Sequence, residues 1–137
     1  MKKLSGVLLI LVGLVTGIHT VIEPLYHYST ETQPSSPYWG IINIAMIVAI
    51  VLGIIYSYRN LKEDKPQTNS CRECPSPSFY FYGFVVIGLL FFHNYFDTIT
   101  DSYEKDSGAF ILLWLIIDVF LAVFSVSLGK SLIQSSD

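Results

Sequence analysis

Four long apolar runs, each with at most one formal charge, leave this chain few ways to fold. They are Leu4–Ile22, Trp39–Tyr58, Phe79–Phe96 and Gly108–Gly129. A helix needs about 20 mostly apolar residues to cross the hydrocarbon core of a bilayer, and each run has about that length. Barrel strands alternate in polarity over about ten residues, and these runs do not alternate. A helix satisfies its backbone polar groups within its own segment, which oil requires. The chain is therefore expected to be an all-α integral membrane protein: one domain over residues 1–137, with four transmembrane helices.

Composition points the same way. Charged residues make up 14% of the 137, against about 25% in soluble domains. A water-soluble domain of this length could not bury so much apolar surface. Lys2 and Lys3 ahead of the first run resemble the start of a secretory signal peptide. No small-x-small cleavage pattern follows, so the run is expected to stay as the first span.

Lysine and arginine set the orientation. Lys2, Lys3, Arg59, Lys62, Lys65, Arg72 and Lys130 would fall on one side and Lys105 alone on the other. The crowded side is expected to be cytoplasmic, with both termini there, in a multi-pass protein of the cell or inner membrane. The outer side would be acidic, carrying Glu23, Glu31, Asp97, Asp101, Glu104 and Asp106. A net charge of −3 argues against nucleic acid as a partner. The expected partners are the lipid bilayer and either other membrane subunits or a second copy.

In lipid, helices associate through close backbone approach and polar contacts. Gly13 and Gly17 form a GxxxG pair in the first run. Ala45, Ala49, Gly53 and Ser57 follow at intervals of four in the second, which puts them on one stripe. Asp118, Ala122, Ser125 and Gly129 share a face in the fourth. His19 points away from Gly17, and Asn43 away from Ala45, so the first two helices are expected to need neighbours on both sides.

Polar residues at membrane depth are costly and mark functional candidates. His19, Asn43, His93, Asn94 and Asp97 would lie toward the outer boundary, with Asp118 near mid-membrane beneath them. His19 with Glu23, and His93 with Asp97, both read His-x-x-x-acid. Chance explains that echo, since little else aligns. Histidine and carboxylate suit Cu or Zn, and i, i+4 spacing puts two ligands on one helical face. His93 and Asp97 fit that geometry; Pro24 is expected to take Glu23 out of helical geometry; His27 would join from the loop. The alternative is that these residues simply tie helices together by hydrogen bonds.

Cys71 and Cys74 form a CxxC in the cytoplasmic loop. A structural zinc site normally takes four ligands, so this pair would need a second chain or a partner to complete one. Redox chemistry is a second option, since the spacing lowers a thiol pKa. A reduced spectator pair is the third. No phosphate-binding loop, HExxH helix or nucleophile elbow is present, so an enzyme is not expected. Small multidrug exporters share the length and four-helix plan, but they carry a membrane glutamate in the first helix and this chain has none there.

Three functions remain. The leading expectation is a non-catalytic accessory subunit of a larger membrane complex, such as a respiratory or metal-dependent oxidising enzyme. The second is a small oligomeric transporter or channel using Asp118 and the outer polar residues. The third is a membrane metalloprotein with Cu or Zn among the outer histidines and acids.

Overall fold

The computed structural model describes residues 2–28, 36–63, 76–100 and 108–135. These form four helices: α1 (Lys2–Tyr26), α2 (Trp39–Lys62), α3 (Pro77–Thr100) and α4 (Gly108–Gln134). All four are long and apolar enough to cross a membrane. At 24 to 27 residues each is roughly 36–40 Å long, more than the ~30 Å of a hydrocarbon core.

The helices outrun the apolar stretches because a helix does not stop where hydropathy does. Arg59 and Lys62 occupy the last turn of α2, where cations favour the negative end of the helix dipole. α3 opens with Pro77 at its first position, where a missing N–H does no harm. Ser76 caps it, its Oγ accepting the Phe79 N–H at 3.3 Å. α4 runs five residues beyond Gly129.

α1 corrects an expectation. It continues through Pro24, so Glu23 is helical. The His27 N–H donates to the Glu23 carbonyl at 2.9 Å, carrying the turn past the proline. Because proline has no N–H, the Thr20 carbonyl loses its usual helical donor.

The helices pack in a four-cornered bundle. The α1–α4 contact is the most extensive and α2–α3 the next; α1–α2 and α3–α4 close the ring. α2 and α4 touch across the short diagonal, while α1 and α3 do not meet among the described residues. Gly6 lies against Gly129 and Leu132, so both chain ends emerge at one end of the bundle.

Small residues account for the tightest contacts. A Cβ on Gly6 would sit 2.7 Å from the Gly129 carbonyl oxygen, and one on Gly13 2.8 Å from that of Ala122. On the other side of the bundle, Gly53 receives the ring of Phe84, and Gly88 lies under Ile50. Gly83 receives the ring of Phe124, joining α3 to α4. Leu9, Met46, Ile50, Phe84, Phe91, Leu121 and Leu128 fill the centre and are inaccessible to solvent.

The small-residue stripes expected on α1, α2 and α4 are all contact faces. Ala49, Gly53 and Ser57 are buried and Ala45 half-buried; Ala122, Ser125 and Gly129 meet α1. Part of the two-sided decoration is taken up within the chain. The glycine side of α1 faces α4, and its His19 side faces α2 through Trp39. Asn43 lies two turns from Ile50, which packs on α3. On α1 both of these sides therefore meet helices of the same chain.

Outward surfaces are apolar nearly throughout. Only 28 to 39% of the residues in each helix's most apolar window are buried. The rest present side chains such as Leu4, Ile41, Leu89 and Val123, each more than half exposed. Water would not tolerate so continuous an apolar surface on a monomer, and lipid suits it.

Candidate functional site

The polar residues gather at the end of the bundle opposite the termini, in three groups. The first joins α1 to the segment entering α2. His19 is 9% exposed, with its ring 4.6 Å from Trp39 and nearly perpendicular to it. Its Nε2 lies 2.6 Å from the Tyr26 hydroxyl, and that hydroxyl donates to Ser36 Oγ at 3.1 Å. The Ser36 N–H donates to Glu23 Oε1 at 2.9 Å. One tautomer satisfies this chain: His19 Nε2–H donates to Tyr26, leaving Nδ1 as the acceptor without a partner.

The second group lies between α1 and α4. Asp118 is 3% exposed, and Thr20 Oγ1 stands 3.5 Å from its Oδ2. The same Thr20 hydroxyl is 2.9 Å from the Thr16 carbonyl. Asp118 Oδ1, Thr16 Oγ1 and Ser125 Oγ are buried without partners. Thr16 is one turn from Thr20, and Ser125 two turns from Asp118, so the unpaired groups run along the α1–α4 seam away from the His19 end.

The third group is on α2 and α3. His93 Nδ1 lies 3.2 Å from Asp97 Oδ2, but the His93 side chain is 68% exposed. Asn94 is 2% exposed, its Nδ2 unpaired and its carbonyl accepting from Thr98 Oγ1 at 2.8 Å. Asn43 Oδ1 on α2 is also buried and unpaired.

The structure therefore separates what the spacing grouped. His19, Glu23 and His27 belong to the α1 end, and His93 with Asp97 to α3, on the opposite corner of the bundle. Nε2 of His19 and Oε1 of Glu23 are already engaged by Tyr26 and Ser36. Among the described residues no three histidine, cysteine or acidic side chains converge as a metal site would need. The Cys71–Cys74 pair lies outside the described residues.

Sequence reasoning missed several ties. Tyr26 is two turns after His19 and so on its face, a signal that was available. Ser36 sent none, since a loop serine has no periodicity. Ser5 with Tyr56, at 2.9 Å, and Tyr80 with Ser127, at 2.6 Å, link α1 to α2 and α3 to α4 near the termini end.

No family model matches the chain. No curated protein and no solved structure matches it either.

Proposed function

We propose that this chain is a non-catalytic subunit of an integral membrane complex, crossing the bilayer four times with both termini in the cytoplasm. The observation that carries the reading is a groove of about 660 Å³ on the outside of the bundle between α1 and α4. Gly13, Gly17 and Ala122 line it, flanked by Leu14, Ile18 and Val126. Gly6, Gly53 and Gly129 are closed off by neighbours within the chain, whereas Gly17 is half-buried and a Cβ there would meet only that of Ala122. Small residues beside exposed apolar ones offer a neighbouring helix the close backbone approach that drives association in lipid.

Mild-detergent extraction of the tagged protein, with identification of what co-purifies, tests this. A second membrane chain is expected to come with the wild type. Gly17→Leu, which fills the groove, is expected to release it while the chain stays folded in the same detergent. A lone 15.4 kDa species under every mild condition overturns the proposal. Replacing Asp118 by Asn separates the transporter reading, under which flux through the protein would stop.

A further inference from the structure

Asp118 is the one acidic residue in the apolar part of the bundle, and its surroundings do not match its charge. Among the described residues no cationic side chain pairs with it. Among the described residues its side chain meets one hydrogen-bonding group, the Thr20 hydroxyl, and Oδ1 has nothing. Glu23, three residues beyond Thr20 on α1, adds a second negative charge that acts on it. A carboxylate withdrawn from water needs a compensating charge or several donors.

The Thr20 contact cannot supply one in full. A threonine hydroxyl has a single proton. That proton has the Thr16 carbonyl at 2.9 Å, a normal bond length, and Asp118 Oδ2 only at 3.5 Å. With the proton on Thr16, a lone pair of Thr20 faces Asp118 Oδ2, and Asp118 Oδ1 has no donor. Oxygens that share a hard cation at about 2.4 Å, at right angles, lie about 3.4 Å apart. The 3.5 Å between Thr20 and Asp118, long for a hydroxyl donating to a carboxylate, is close to that spacing.

Two further oxygens on α1 lack a partner. Thr16 Oγ1 is fully buried and unpaired one turn inward. Pro24 leaves the Thr20 carbonyl without its helical donor. Backbone carbonyls released from helical bonding, together with acidic and hydroxyl groups, are how membrane proteins hold small cations at depth.

We propose that Asp118, Thr20 and Thr16 form a binding site for a monovalent cation, sodium, within the α1–α4 seam. Asp118 is the one carboxylate among these ligands, so a single positive charge balances it. Oxygen ligands alone favour a hard ion. Glu23, between this site and the His19 end, draws the ion in from that side. The site is independent of the groove and of any partner subunit.

The test uses the full chain in nanodiscs. Thermal unfolding is followed in sodium chloride, potassium chloride and choline chloride at equal ionic strength, alongside direct binding of radioactive sodium. Sodium is expected to raise the midpoint above that in choline, with saturable binding near one ion per chain. Asp118→Asn and Thr20→Val are each expected to weaken sodium binding by about tenfold or more. Ser125→Ala, farther along the same seam, is expected to leave it unchanged. Equal midpoints in sodium and choline, or a response to pH with none to sodium, overturn the site. Undiminished binding in Thr20→Val overturns it as well, and that variant keeps the test decisive should Asp118→Asn fail to fold.

Discussion

Gly129→Ala adds one methyl group where the two longest helices touch backbone to backbone. The new Cβ would lie 2.5 Å from the Gly6 carbonyl oxygen, 2.8 Å from Ile10 Cγ1 and 3.2 Å from the Ile10 nitrogen. Ordinary contact begins at 3.4 Å, so α1 and α4 must part by about 0.9 Å at this crossing. The Ile10 side chain can turn aside, but the two backbone atoms cannot. A gap of that size forfeits roughly a quarter to a half of the dispersion energy of the facing atoms. Overpacking costs about 1–3 kcal/mol in general, and a backbone obstacle puts this site in the upper half. Alanine returns about 0.5–1 kcal/mol through its better helix propensity. The net loss is therefore about 1–2.5 kcal/mol. Unfolding in mixed micelles, read by the fluorescence of Trp39 and Trp114, measures it. Gly40→Ala is the control, since nothing lies within 4 Å of a Cβ there. The reasoning fails if the Gly129 variant stays within about 0.5 kcal/mol of wild type.

Tyr80→Phe removes the 2.6 Å bond to Ser127 and is expected to cost about 0.6–1 kcal/mol in the same assay. Tyr82→Phe, at a ring 63% exposed, is expected to cost nothing measurable. His93→Ala breaks an exposed i, i+4 pair and should change stability by less than about 0.5 kcal/mol; a larger loss would mean that His93 has a buried role. A membrane-impermeant maleimide is expected to label Cys71 and Cys74 only after the membrane is opened. Labelling of sealed cells would reverse the orientation drawn from Lys and Arg.

The helices were legible because hydropathy is a local property, read a few residues at a time. Their ends were not, because Arg59 to Lys62 and the residues after Gly129 are adequate helix formers that lie beyond the apolar runs. Pro24 misled for a related reason: one lost hydrogen bond near a helix end does not stop a helix whose next turn is held at Glu23. Which face packs was legible too, from Ala49 and Gly53 and from Ala122 and Gly129. Which helix it packs on was not, since any small-residue stripe fits any other. That gap undid the histidine grouping. His19 and His93 have the same spacing to an acid, but the order of helices around the bundle puts them on corners that never touch. Asp118 and Thr20, 98 residues apart, were brought together by the same unreadable order.

The most extensive contact in the molecule joins the first helix to the last. During synthesis Gly6, Gly13 and Thr20 are made long before Gly129, Ala122 and Asp118 exist to cover them. Neither α2 nor α3 can substitute, because α2 meets the other side of α1 and α3 does not reach it. Closure of this face thus waits until α4 has been made. A chain cut short before α4 would keep three inserted helices, one with its glycine face bare, open to whatever helix or quality-control protease finds it first.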